Sequence, residues 1–187
     1  MLRYNCLMKP HMKIVISGSF RKHLAEIGQA RENFQKAGAE VLAPLTQEAV
    51  HSVGDFVFLA TDDLEQSPDV IEEEFMANIR KTDILYVVNI GGYVGQSAAT
   101  EIGVALMASI PVVVAEKIAY FSGGIPKEAQ DLLQKTAYPR IPIGDIGAES
   151  LELLTIRNTP RPALSTHDKL LLESLVKKLL HDLKSIA

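Results

Sequence analysis

Between Lys13 and Ala115 the chain alternates short aliphatic runs with segments of helical period, and this alternation admits few folds. Lys13-Ile14-Val15-Ile16-Ser17 has the length and branching of a buried strand and ends at Gly18. Residues 24–37 carry Leu24, Ile27, Ala30, Phe34 and Ala37 at helical spacing and stop at Gly38, a residue suited to a helix C-terminus. Val41-Leu42-Ala43 reads as the second strand, closed by Pro44. Asp69 is placed to cap a helix over 70–81, with Ile71, Phe75, Asn78 and Ile79 along one stripe. The third strand is Ile84-Leu85-Tyr86-Val87-Val88, a helix follows from Ser97 to about Ser109, and Pro111 to Ala115 is the fourth strand. Such continuous apolar strands are buried on both faces, and their crossovers close right-handed. The expected fold is α/β: a doubly wound parallel sheet of about five strands, flavodoxin-like or Rossmann-like, in three α/β/α layers.

The rest of the chain is less periodic. Val53 to Leu59 is apolar and reads as either strand or loop, and Asp62 to Pro68 as loop. Pro126 to Lys135 is a short helix with proline in its first turn, Tyr138 to Ile143 the expected fifth strand, and Glu149 to Ile156 another short helix. A proline-containing linker over 157–165 precedes a helix from His167 to Ile186, with Leu171, Leu172, Leu175, Val176, Leu179 and Leu180 on one side. Residues 1–11 are expected to be a disordered leader, 12–157 the α/β domain, and 158–187 linker plus C-terminal amphipathic helix. That leucine stripe calls for burial against the sheet or a second copy, so a homo-oligomer is expected.

Composition removes several function classes. A chain of 187 residues with 47% apolar and 22% charged residues has the balance of an ordinary globular protein. Its net charge of −4, with Lys and Arg unclustered, argues against a nucleic-acid polymer as partner. The longest apolar run, Ile102 to Ile110, is too short to span a bilayer, so no membrane partner is expected. The single cysteine, Cys6, cannot form an internal disulfide, which fits a cytoplasmic protein. His11, His23, His51, His167 and His181 lack metal-ligand spacing, and neither metal nor cofactor is expected.

Ligands of open parallel sheets bind beyond the carboxyl ends of the strands, where strand order reverses. Two loops lie at that edge: Ser17-Gly18-Ser19-Phe20-Arg21 after the first strand, and Gly91-Gly92-Tyr93-Val94-Gly95-Gln96-Ser97 after the third. The glycines of the second loop let the backbone approach a ligand. Ser97 is a natural N-cap, and Glu101 lies one turn on, on the same face. The helix around Glu101 is otherwise apolar, and a carboxylate in such a setting needs a partner or a purpose. Neither the Walker spacing nor the dinucleotide fingerprint is present. A small-molecule site around Glu101 is therefore expected, for a nucleoside or nucleotide.

At these residues the chain resembles the nucleoside 2-deoxyribosyltransferase superfamily, which includes deoxynucleotide N-hydrolases. The resemblance runs from Lys13 to about Ala115. It is carried by Gly18-Ser19-Phe20-Arg21, by Asp83-Ile84-Leu85-Tyr86-Val87-Val88-Asn89, and by Gly92-Tyr93-Val94-Gly95-Gln96-Ser97-Ala98-Ala99-Thr100-Glu101-Ile102-Gly103. It implies cleavage of a nucleoside's N-glycosidic bond, with Glu101 attacking the anomeric carbon and the glycosyl ester resolved by a second base or by water. The helix N-terminus would keep Glu101 ionised. Ser97 would contact the sugar or a 5′-phosphate, and Arg21 would meet a phosphate. Gly18, Ser19 and Phe20 would line the pocket, with Asn89, Gly92, Tyr93 and Gly95 completing it. The family carries an acid on the preceding helix to handle the base's proton. Alignment sets Phe75 there, with Glu73 and Glu74 pointing elsewhere, so the acid is sought on the loop at Asp62 or Asp63, and Asp63 is taken. Active members often complete the pocket from a neighbouring subunit. Two other readings stay open: a lysine-decarboxylase-like phosphoribohydrolase, and a non-catalytic nucleotide-binding or sensing module.

Overall fold

The computed structural model describes residues 12–136, 138–156 and 163–186, so the expected leader over 1–11 and most of the linker lie outside the described residues. The chain opens with β1 (Lys13–Gly18), α1 (Phe20–Lys36) and β2 (Glu40–Ala43). A hairpin of β3 (Ala49–Val53) and β4 (Phe56–Leu59) follows, then α2 (Pro68–Ile79) and β5 (Ile84–Val88). Next come β6 (Tyr93–Val94), α3 (Gln96–Met107), β7 (Val112–Val114), β8 (Tyr120–Phe121), α4 (Lys127–Lys135), α5 (Ala148–Ile156) and α6 (Thr166–Lys184).

The central sheet has four parallel strands in the order β2-β1-β5-β7. The first and third strands of the alternation, β1 and β5, are therefore neighbours, and the two loops that follow them flank one crevice. Side chains alternate across the sheet as the pleat requires. Ile14, Ile16, Tyr86 and Val113 pack toward α1 and α5, while Val15, Leu85, Val87 and Val112 pack toward α2, α3 and α6. The result is the three-layer Rossmann-like architecture.

The expected fifth strand is reduced to a bridge. Arg140 pairs with Val114 through two bonds: Val114 N–H donates to the Pro139 carbonyl and Ile141 N–H to the Val114 carbonyl, both at 3.0 Å. Pro139 and Pro142 have no N–H to offer a ladder, so the strand cannot extend in either direction. The Val53–Leu59 segment holds the end of β3, the Gly54-Asp55 turn and the returning strand β4 of a hairpin. Two helix starts also shift. α2 is capped by Ser67 rather than Asp69, because Pro68 presets the first helical residue. α3 begins at Gln96 with Gly95 as its cap, rather than at Ser97.

The C-terminal leucine stripe is consumed within the chain. Leu172, Leu175, Leu179 and Leu183 are buried chiefly against the helical layer of α2, α3 and α4. Each such side chain contributes about 1.5–3 kcal/mol when removed from water. α6 approaches α3 closely at Gly103, where an added Cβ would lie 3.2 Å from Leu172. Its N-terminus carries a capping box: Asp168 N–H donates to Ser165 Oγ at 3.1 Å, and Ser165 N–H to the Asp168 carboxylate at 2.9 Å. Among the described residues no helix is long and apolar enough to cross a membrane.

Candidate functional site

β1 delivers Ser17 to the face that α3 covers, two residues after Val15 and by the same alternation. The next residue must be glycine: a Cβ on Gly18 would stand 2.9 Å from the Val88 carbonyl oxygen, so a side chain there would part β1 from β5. The chain then turns on the Ser19 carbonyl, which accepts from Lys22 N–H at 3.0 Å and His23 N–H at 2.7 Å. Non-helical angles at His23 separate this turn from the helix proper. The turn sets Phe20 edge to face with Phe75 of α2, ring centroids 6.2 Å apart.

The loop after β5 is built in two parts. Its first part is architecture. Asn89 is wholly buried, its Nδ2 donating to the Glu116 carbonyl at 2.7 Å and its Oδ1 accepting from Glu116 N–H at 2.9 Å. This ties the segments after β5 and β7 together. Gly92 sits at φ +76° with the Lys117 carbonyl 2.6 Å from where a Cβ would be, so only glycine fits. Neither residue lines the cavity. The second part faces it: Tyr93, Gly95 and Ser97 are on the wall, and the first amides of α3 have no side-chain cap. Lys22 Nζ lies 3.8 Å over the Tyr93 ring.

The cavity has a volume of about 650 Å³. Gly18, Ser19, Phe20 and Arg21 line it, and Arg21 is held by Asp55 at the hairpin tip. The hairpin, α2 and the end of α6 form its remaining walls. α6 contributes Leu179, Leu183 and Asp182, the last receiving Lys178 Nζ at 2.7 Å and Gln96 Nε2 at 3.2 Å. Those two bonds, Lys178 first, hold Asp182 below the usual carboxylate range. Asp63 is not brought to the site: its side chain is exposed, accepting from Glu65 N–H at 3.0 Å. Asp62 does line the cavity, half-buried, with one carboxylate oxygen 2.7 Å from Leu59 N–H. Burial, partly offset by that bond, and the nearby Glu74 raise its pKa.

At the floor lie two carboxyl groups, Glu101 of α3 and Glu72 of α2, only 4% and 6% exposed. Oε2 of Glu101, Oε1 of Glu72 and the Ser17 hydroxyl have no hydrogen-bond partner among the described residues. Buried polar atoms are rarely left so, because the desolvation cost is of order 1–3 kcal/mol each and more for charges. Burial first, and then the neighbouring Glu72 carboxylate, push Glu101 well above the usual range. Ser17 stands near enough to favour the ionised form of Glu101, though short of full hydrogen-bond geometry. Glu72 is raised by burial to about 7, against a partial offset from its contact with Glu101. The expectation that the helix terminus keeps Glu101 ionised is thus reversed. Glu101 is the sixth residue of α3, beyond the first turn where the dipole acts, and desolvation dominates. Both shifts run the same way, so burial and mutual proximity favour a pair that keeps a proton between its two carboxyl groups.

Glu72 is the residue that the sequence pattern conceals. It stands at i with Met76 at i+4 and Ile79 at i+7, and all three are buried. A glutamate on the apolar stripe of a helix is the available signal. No three His, Cys, Asp or Glu side chains among the described residues converge as a metal-binding set. The chemistry open to the site is that of a proton-sharing carboxyl pair beside an aromatic wall and an uncapped helix terminus.

No protein-family model matches the chain, and no curated protein matches it. Among solved structures, it is similar to the crystal structure of a conserved protein from Enterococcus faecalis V583, at 20% identity and a TM-score of 0.40, over 90% of this chain and 99% of that one.

Proposed function

We propose that the chain cleaves or transfers the N-glycosidic bond of a (deoxy)nucleoside or nucleoside 5′-monophosphate, with Glu101 as nucleophile and Glu72 as its proton-holding partner. The observation that carries this reading is a pair of buried glutamates lining the cavity, each with a carboxyl oxygen that has no hydrogen-bond partner among the described residues. The reaction needs one carboxylate and one carboxylic acid side by side; at rest the shared proton is favoured on Glu101, and its passage to Glu72 sets the reactive arrangement. An ionised Glu101 oxygen bonds to the anomeric carbon as the carbon–nitrogen bond breaks, and the base leaves with the proton from Glu72. Water or an acceptor base then displaces Glu101 from the sugar and returns a proton to Glu72. Overall the step is retaining, with charge developing on the sugar between the two groups. Ser97 and the α3 amides are on the sugar side. Glu72 also offers the acid that the alignment lacks at Phe75, which favours an enzyme over a non-catalytic module. A reducing cytoplasm holding nucleosides is the setting this reading implies.

The test is a panel of nucleosides and monophosphates, incubated with and without an acceptor base while free base is followed by chromatography. Base release that disappears in Glu101→Ala is the expected result. Turnover that survives Glu101→Ala removes the mechanism, and binding without release from any substrate removes the enzyme.

A further inference from the structure

The wall beyond Glu72 has a chemistry that the carboxyl pair does not use. If Glu72 supplies the proton, as in the proposed function on which this inference rests, the leaving base must lie against α2. That part of the cavity presents Phe20 and Phe75 as an aromatic surface, with Asp62 and Glu74 at its edge. Asp62 has one carboxylate oxygen committed to Leu59 N–H, which leaves the other open to a ligand. Glu74 is exposed and forms no ion pair among the described residues. Among the described residues the only cationic side chain lining the cavity, Arg21, is already paired with Asp55. The base-facing edge therefore offers acceptors and no free donor cation.

We propose that Asp62, supported by Glu74, determines base specificity, and that the cavity takes nucleosides whose base carries an exocyclic amino group. An amino group donates to the open Asp62 oxygen. An oxo group at the same place sets lone pairs against a carboxylate, which repels it. A hydrogen bond to a charged acceptor contributes about 1.5–3 kcal/mol, which corresponds to roughly 10- to 100-fold in selectivity.

The experiment compares kcat/KM for matched pairs: deoxyadenosine against deoxyinosine, and deoxycytidine against deoxyuridine. The unmodified protein should favour the amino member by roughly 10- to 100-fold. Asp62→Asn keeps an oxygen for Leu59 N–H and can turn its amide toward an oxo group, so the ratio should fall at least tenfold. Comparing ratios between the two proteins cancels the intrinsic leaving ability of each base. Glu74→Gln, at an exposed position, provides a second variant and should lower the ratio less. Base release with equal or reversed preference overturns this inference and leaves the Glu101 chemistry standing, as does a preference unchanged in Asp62→Asn. Absence of release from every nucleoside overturns the underlying function and this inference with it.

Discussion

On the α1 face of the sheet the Tyr86 hydroxyl is buried and donates to the Ile141 carbonyl at 2.7 Å. On the α3 face Glu72, Glu101 and Ser17 are buried too, yet each has an oxygen with no hydrogen-bond partner among the described residues. Tyr86 and Ser17 come from neighbouring strands of one sheet, so sheet geometry does not explain the contrast. Nor does burial, since Asn89 is fully buried beside the site with both its amide atoms bonded. The difference separates polar groups that hold the fold from polar groups that the fold holds. A satisfied buried group stabilises the chain, whereas an unsatisfied one costs stability and must be retained for something else. Substitutions on the two faces should accordingly have opposite signs.

The largest effect falls on turnover. Glu72→Gln cannot give a proton to the departing base, and loss of a general acid costs about 10²- to 10⁴-fold in rate. Base release by the unmodified protein should rise as pH passes upward through about 7, where Glu72 ionises and can take the proton that Glu101 holds, freeing the nucleophile. Steady-state rates from pH 5 to 9 check both statements. A Glu72→Gln protein with undiminished release would make Glu72 a bystander.

The sequence makes these two faces unequally legible. Strand alternation placed β1, β2, β5 and β7, because a buried parallel strand is a nearly unbroken aliphatic run that needs no context. Glu101 stood out for the same reason, a lone charge in an apolar helix. Glu72 did not, because α2 is acidic over Glu72-Glu73-Glu74 and a charge among charges carries no contrast. Only the register of Glu72 with Met76 and Ile79 distinguished it. The β3–β4 hairpin was hidden differently. Its Gly54-Asp55 turn is a hairpin signal, but β3 (Ala49–Val53) is mostly exposed and shows no apolar run. The role of α6 in the cavity wall was out of reach, since its stripe specifies burial without specifying the surface that buries it.

The next effect is on the bonded side of the contrast. Asn89→Ala strips the Glu116 N–H and carbonyl of both their side-chain partners, at a cost of about 2–4 kcal/mol. Denaturant titration at pH 7 should show the unfolding free energy falling by that amount, with a lower midpoint. A loss below about 0.5 kcal/mol would mean that satisfaction of a buried group is no guide to its role here.

Glu72→Gln should move stability the other way. The native pKa of Glu72, about 7, lies above its ordinary value of 4.5, so the folded state binds the proton more tightly than the unfolded chain. Its contribution is therefore fully present below pH 4.5 and is lost as pH rises through about 7. The glutamine cannot ionise and can donate to the Glu101 carboxylate. At pH 8 the variant should be more stable by about 1–3 kcal/mol, and at pH 4 nearly equal to the unmodified protein. Destabilisation at pH 8 would show that the pair binds the fold together.

The smallest effect provides the sharpest control. Tyr86→Phe keeps the ring and its edge-to-face contact with Phe34, centroids 5.0 Å apart, and removes a single hydroxyl. The Ile141 carbonyl loses its donor but belongs to a half-buried residue at the sheet edge, where water can replace it. The cost should then be about 1 kcal/mol rather than the full penalty of an orphaned buried acceptor. Because Tyr86 lies across the sheet from the cavity, base release by Tyr86→Phe should match that of the unmodified protein. The denaturant midpoint should fall with its slope unchanged, the signature of altered stability alone. Set beside Glu72→Gln, this variant loses stability and retains turnover, while the other gains stability and loses turnover. If both variants moved in the same direction on both axes, the unpaired oxygens of the α3 face would be a packing defect, and the assignment of Glu72 and Glu101 to chemistry would lose its basis.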